Sequence, residues 1–201
     1  MSATNRGAVR SEGDFYRTPE ISTLAIVRAL ATRGCRTCGP SEGGLGSILD
    51  AGCGDGAITA ALIFSGVPAA RILGVDVSAE LVESYSARTG SKGIVADYLT
   101  SDIETDTVFM NPPFSHAYEF IAHARELAAC VVALVRCGWL EGAKSKQPER
   151  LALLKQHPPD VYFLTSRPSF GPNAAGKKGT DASAYVWLVW DRMSEGRLTW
   201  L

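Results

Sequence analysis

The chain has 201 residues, 46% of them hydrophobic, with 21 acidic against 20 basic side chains and a formal net charge of −1. That length and apolar share suit one core and one domain, and the near-neutral balance excludes a surface that attracts polyanions on every side. No run of about 18 apolar residues is present and residues 1–11 lack an apolar signal core, so no membrane span or export is expected and a cytoplasmic setting is. Of the five cysteines, Cys53, Cys130 and Cys137 lie in or beside apparent strand ends and read as reduced thiols packed as small hydrophobes. Cys35 and Cys38 form a C-x-x-C without a second pair at zinc spacing, so no metal site is expected.

Residues 1–13 mix Ser, Gly, Arg and Glu without periodicity and read as a mobile tail. In Phe15-Tyr16-Arg17-Thr18-Pro19-Glu20, Thr18 is placed to cap a helix, Pro19 to take its first position and Glu20 to complement its positive end. The helix is expected to run to about Ala31 with Ile21, Leu24, Val27 and Leu30 on its apolar face, and the Gly- and Ser-rich stretch Gly34–Gly46 ends it. Ser47–Leu49 reads as a strand that meets Asp50-Ala51-Gly52-Cys53-Gly54-Asp55-Gly56, followed by a helix over Ala57–Phe64. Arg71–Asp76, Gly93–Asp97 and Thr107–Met110 are the next strands; Ser78 caps a helix through about Ala87, and Ser115 caps another. Ala129–Val135, Val161–Leu164 and Tyr185–Trp190 complete the set. Strands separated by helix-length connections predict an α/β fold, a Rossmann-like, doubly wound, mostly parallel sheet of seven strands. Its last strand is too close to the sixth for an intervening helix and is expected to be antiparallel. Residues 14–191 form the one domain and 192–201 a tail.

Ligands of open α/β sheets bind beyond the carboxyl ends of the strands. Four successive strands here end in Asp50, Asp76, Asp97 and Asn111. Gly52, Gly54 and Gly56 let a ligand approach the backbone, Asp76 suits two ribose hydroxyls, and Asp97 suits an adenine amino group with Tyr98 as a flanking face. Together they describe an adenosine-containing cofactor. Asn111-Pro112-Pro113-Phe114 stops the fourth strand, because proline lacks the N–H and fixes φ. It offers a side-chain amide, uncommitted carbonyls and an aromatic face, a set that suits a flat ring bearing an NH₂ group.

With these motifs the chain resembles the class I S-adenosylmethionine-dependent methyltransferases, and its Asn-Pro-Pro-Phe resembles that of the enzymes acting on planar amines. The resemblance implies S-adenosylmethionine as cofactor, held by Asp50, Gly52 and Gly54 at the methionine part, by Asp76 and Val77 at the ribose and by Asp97 and Tyr98 at the adenine. Tyr16 and Thr18 are placed by it on the methionine end, beside Asn111. Asn111, Pro112, Pro113 and Phe114 would form the catalytic segment, with the Asn111 side chain and the Pro112 carbonyl accepting the amine hydrogens and Phe114 stacking on the base.

The leading Phe-Tyr-Arg-Thr-Pro resembles that of N6-adenine DNA methyltransferases, and the short chain resembles their solitary phage and prophage forms. Double-stranded DNA with a flipped adenine is thus the expected substrate. Recognition is expected from Arg136–Pro159 and Thr165–Ser183: from Arg136 to Thr180 eight basic residues stand against three acidic ones. His116 is read as helix-start surface and His123 as structural; Trp139 and Trp187 are core. Competing readings are amino-methylation of adenine or guanine in RNA, methylation of a protein glutamine, a nicotinamide-dependent oxidoreductase, for which no Tyr-x-x-x-Lys is present, and a binding module that has lost catalysis.

Overall fold

The computed structural model describes residues 17–33, 46–141, 147–166, 168 and 183–201. Their strands form one eight-stranded sheet in the order β3-β2-β1-β4-β5-β7-β6-β8. The glycine-loop half comprises β1 (Ile48–Ala51), β2 (Ile72–Asp76) and β3 (Lys92–Val95); the other half comprises β4 (Thr105–Met110), β5 (Ala128–Arg136), β6 (Asp160–Phe163), β7 (Tyr185–Trp190) and β8 (Leu198–Trp200). The first five strands are mutually parallel. β7 lies between β5 and β6 and is antiparallel to both, while β8 pairs parallel with β6. The antiparallel seventh strand is as the sequence predicts; β8 was read as tail. Three residues with no periodicity signal cannot be told from a terminus, and β8 exists because β6 presents an open edge.

Helices α1 (Glu20–Thr32) and α2 (Ala57–Phe64) cover one face, and α3 (Ala79–Thr89) and α4 (Ala117–Leu127) pack along β2–β3 and β5; α5 (Pro148–Gln156) precedes β6. Side chains alternate along each strand, so β4 sends Phe109 into the core with Ile26, Leu30, Ile58 and Trp187, and Val108 and Met110 into the core with Phe120, Ile121 and Trp139. Burial on both faces explains why Cys130–Val135 is a continuous buried apolar run. Each such Val, Leu or Phe contributes about 1.5–3 kcal/mol when fully buried.

The first helix departs from expectation. Thr18 does not cap it: the N-cap is Pro19, with no side-chain bond. Its buried side is Ser22, Thr23, Ile26, Val27 and Leu30, whereas Ile21 is 75% exposed. The rotation is set by polar partners: Trp187 Nε1, fully buried, donates to the Ser22 carbonyl at 3.1 Å, and the Ser22 hydroxyl donates to the Pro19 carbonyl at 2.7 Å. Ser115 likewise does not cap α4; its hydroxyl pairs with His116 Nδ1 at 2.8 Å, and His116 is the N-cap. Ser78 does cap α3, accepting from the Leu81 N–H. Cys35, Cys38 and the tail 1–13 lie outside the described residues, among which no cluster of metal-ligand type occurs and no helix is long and apolar enough to cross a membrane.

Candidate active site

The carboxyl ends of β1, β2 and β4 and the segment after β3 enclose a cleft of about 750 Å³ including its open mouth, within the range of small-molecule sites. Of the residues singled out in the sequence, Thr18, Gly52, Asp76, Val77, Asp97, Tyr98, Asn111 and Pro113 line it. Asp50, Gly54, Pro112 and Phe114 do not, and Tyr16 lies outside the described residues.

The glycine loop turns through three left-handed residues, Gly52 at φ 70°, Gly54 at 51° and Gly56 at 83°. A side chain at Gly56 would be strained and would also meet Thr89 at 2.6 Å. The Gly52 and Cys53 N–H groups donate to the Val75 carbonyl, which holds the loop against the end of β2. Gly54 acts one step back from the cleft: its N–H donates to Asp76 Oδ2 at 2.9 Å. The Ser78 N–H donates to Asp76 Oδ1 at 3.0 Å. Both Asp76 oxygens are thereby oriented by backbone and keep lone pairs for hydroxyl donors. Asp97 is exposed, with Oδ1 accepting from the Leu99 N–H. Tyr98 is 2% exposed, tilted on Phe120 and edge-on to His123, and its hydroxyl has no partner among the described residues; burial pushes the phenol pKa up.

Asp50 requires a correction. It sits beneath the cleft, 1% exposed, with Oδ2 accepting from the Thr59 N–H at 3.2 Å and hydroxyl at 2.7 Å, and Thr59 in turn lies 3.2 Å from the Tyr85 hydroxyl. Burial pushes its pKa up to about 7, against the Thr59 hydrogen bonds that lower it. Every residue of β1 is buried, and the Asp50 carboxylate, through Oδ2 and Thr59, ties α2 to the sheet.

Two cleft residues went unread in the sequence, Arg17 and Asp55. Arg17 Nε pairs with Asp55 Oδ2 at 3.0 Å, and Arg88 holds the same oxygen at 2.9 Å. Arg88 also bonds Glu20, so four side chains tie the leading segment to the glycine loop and α3. Asp55 Oδ1 is buried and has no partner among the described residues. A signal existed, because Arg17 lies between the two leading residues singled out and Asp55 between two loop glycines; both were read as spacers.

At the end of β4 the Asn111 amide nitrogen donates to Thr18 Oγ1 at 3.0 Å. The Pro113 carbonyl is taken by the His116 N–H, whereas among the described residues no N–H reaches the Pro112 carbonyl. Phe114 packs on the other side, its ring 6.1 Å from that of Tyr185, with the Arg136 guanidinium 3.9 Å over its centroid and Arg136 Nε donating to the Tyr185 hydroxyl.

Residues 48–137, which hold the glycine loop, Asp76, Asp97 and Asn111, match the family model described as a methyltransferase domain. The matched stretch is a little under half of the chain. The domain is similar to the ribosomal RNA small subunit methyltransferases C of Klebsiella pneumoniae and Salmonella choleraesuis, each 37% identical over 75 residues. That stretch is 34% of this chain and 22% of those relatives. Among solved structures, a candidate RNA methyltransferase from Pyrococcus horikoshii superposes with a TM-score of 0.65 at 18% identity over 92% of both chains. The methyltransferase subunit of a type I restriction-modification system from Streptococcus thermophilus gives 0.60 at 15% identity, over 89% of this chain and 44% of the other. The magnesium protoporphyrin IX methyltransferase of Synechocystis, solved with S-adenosylmethionine, gives 0.53 at 16% identity, over 86% and 79%. At these identities the superpositions show the fold. Fold and cofactor class thus agree with the sequence reading.

Proposed function

We propose that the chain transfers a methyl group from S-adenosylmethionine to an exocyclic amine of a nucleobase. The cleft fits the cofactor in its donor set: the orphaned Asp55 Oδ1 suits an ammonium, Arg17 a carboxylate, the paired oxygens of Asp76 a ribose diol and Asp97 an adenine amine. When bound, S-adenosylmethionine supplies a sulfonium-activated methyl group. The observation that carries the target assignment is the end of β4, where Asn111 lines the cleft and the adjoining Pro112 carbonyl takes no N–H among the described residues, followed in sequence by Pro113 and Phe114.

An exocyclic amine is a poor nucleophile because its lone pair is delocalised into the ring. Two acceptors drawing on its two hydrogens favour a pyramidal nitrogen whose lone pair points away from them, toward the cleft. Asn111 and Pro112 thus act by orientation: as the new N–C bond forms the sulfonium S–C bond breaks, and the methylated nitrogen, made strongly acidic by its positive charge, loses one proton to water without a strong general base. A nucleobase within a duplex has first to be swung out, at a cost of a few kcal/mol that stacking on Phe114 helps offset.

For the polymer, the similarity to ribosomal RNA methyltransferases supports RNA. Adenine in DNA is the second reading, supported by the leading Phe-Tyr-Arg-Thr-Pro, whose Thr18 reaches Asn111. Five of the eight basic residues in the segments expected to bind it, Lys144, Lys146, Arg167, Lys177 and Lys178, lie outside the described residues.

The test is mass spectrometry of nucleosides from total RNA and from duplex DNA, each incubated with the protein and S-adenosylmethionine. A base methylated on its exocyclic amine in RNA supports the first reading, N6-methyladenine in DNA alone the second, and silence in both overturns the nucleobase assignment. Asn111→Ala is expected to abolish transfer while S-adenosylhomocysteine affinity stays within a few-fold; a variant with normal turnover would remove Asn111 from the mechanism.

A further inference from the structure

We infer that Arg88, on the last turn of α3 and outside the cleft, is a positioning residue for cofactor binding: its guanidinium ties the leading segment to the glycine loop, two walls of the cleft. The inference deepens the proposed reading and rests on its assignment of the cleft to S-adenosylmethionine, not on the identity of the methyl acceptor. Arg88 Nη1 pairs with Asp55 Oδ2 at 2.9 Å, and Nη2 pairs with Glu20 Oε1. One planar fork thus spans the glycine loop and the first turn of α1, a task for which a single ammonium lacks the geometry. Arg17, which lines the cleft, closes the ring from the other side, with Nε 3.0 Å from the same Asp55 oxygen and Nη2 3.8 Å from Glu20.

The sequence prepares this contact at Gly56. Because it has no side chain, the glycine loop lies against the last turn of α3, where a Cβ would meet Thr89 at 2.6 Å and Tyr85 at 3.0 Å. Asp55 is thereby delivered to Arg88. The loop gathers three carboxylates, close enough for Asp76 and Asp55 to help push the Asp50 pKa up, and Arg17 and Arg88 are the cations that answer at Asp55. With both guanidiniums on Oδ2, Asp55 keeps Oδ1 buried and without a partner among the described residues, as an acceptor for a ligand cation in the cleft. The Asp55 and Arg88 side chains are 25% and 26% exposed, so solvent screens their pair less than the half-exposed Arg17–Glu20 pair. Without Arg88, Asp55 is left to Arg17 alone among the described residues, and the wall it forms is held from one side.

The experiment measures S-adenosylhomocysteine binding by calorimetry in the wild type, in Arg88→Met, which keeps the length of the side chain and removes its charge, and in Arg88→Lys, which keeps the charge and loses the fork. Arg88→Met is expected to weaken binding roughly 5- to 30-fold, and Arg88→Lys to recover only part of that loss. The urea midpoint of the ligand-free protein is expected to stay within about 0.3 M, because partly exposed ion pairs add little to stability. Adding Glu20→Gln to Arg88→Met is expected to change affinity by less than about twofold, since the two side chains act as a unit. Raising sodium chloride from about 0.05 to 0.5 M should weaken wild-type binding more than that of Arg88→Met, which has lost the screened pairs. On whichever of total RNA or duplex DNA the wild type modifies, KM for S-adenosylmethionine should rise in step with the loss of affinity while kcat stays within about threefold. Wild-type affinity in Arg88→Met overturns the inference, as does a urea midpoint that falls together with affinity, which would make Arg88 a prop of the fold. A wild type that does not bind S-adenosylhomocysteine overturns the cofactor assignment and this inference with it. One that binds it and modifies neither polymer overturns the nucleobase assignment alone, because the binding data decide the role of Arg88.

Discussion

Phe114 has one face already engaged, because the Arg136 guanidinium lies 3.9 Å over its centroid. On the proposed reading the arginine backs the ring against which a planar base would stack, and the Arg136–Tyr185 hydrogen bond holds the guanidinium in place. Charge and geometry both enter, so Arg136→Met, which keeps the length of the side chain and removes its cation, is expected to raise the KM for nucleic acid roughly two- to thirtyfold, the equivalent of about 0.5–2 kcal/mol. Cofactor affinity should not move; steady-state kinetics and an S-adenosylhomocysteine titration check both. From sequence, Arg136 was assigned to recognition of the nucleic acid as one basic residue among eight. Its place over Phe114 was illegible there, because the pairing of Arg136 with Tyr185 across β5 and β7 depends on a register that residue types alone do not fix.

Among the elements, β1 and β2 end alike in aspartate and act differently. Asp76 ends a strand that opens on the cleft, and its place in the cleft was legible because the glycine loop before it could be read. Asp50 looked equivalent in the sequence, yet α2 lies over it, and Gly74 lacks the side chain that would keep the Tyr85 ring from approaching β2 and reaching Thr59. Tertiary packing, absent from local patterning, decided between the two. The burial of Asp50 has a titratable signature. Its folded pKa, raised to about 7, exceeds the ordinary carboxylate value, so the protonated form stabilises the fold fully below about pH 4 and that contribution is lost as pH rises through about 7. Asp50→Asn removes the titration and retains an acceptor for Thr59. Urea unfolding at pH 5 and pH 8 is expected to show the variant's stability relative to wild type improving by on the order of 2–3 kcal/mol at the higher pH. An equal difference at both values would show that Asp50 titrates normally. Element existence and order were readable from periodicity for seven strands; the phase of α1 was not, because Trp187 and Ser22, 165 residues apart, settle it.

Across the whole molecule, the end of α1 is tied to the far side of the sheet by Arg33, which pairs with Asp160 at 2.8 Å and Asp191 at 3.2 Å. Burial works against the Arg33 charge, but Asp191, Tyr162 and Asp160 raise its pKa on balance, so the cation persists in the folded state. Asp160 also accepts from the N–H groups of Glu195 and Arg197, which brings β8 to its neighbour. The sheet order has a further consequence for biosynthesis. β6 reaches the sheet only through β7, which is made later and inserts between β5 and β6. As the chain leaves the ribosome, Cys130–Val135 therefore waits with one edge bare until Trp190 emerges, about 1–5 s after Leu164 at ordinary elongation rates. A chain ending at residue 165 should be trapped in that state, exposing a sheet edge that β7 covers in the 201-residue chain. It is expected to sediment as aggregate and to bind hydrophobic dye where the 201-residue chain does neither, and a soluble, dye-silent fragment would show that β5 needs no such partner. The strand that closes the sheet is thus also the step that ends the nascent chain's exposure to chaperones and to its own neighbours on the polysome.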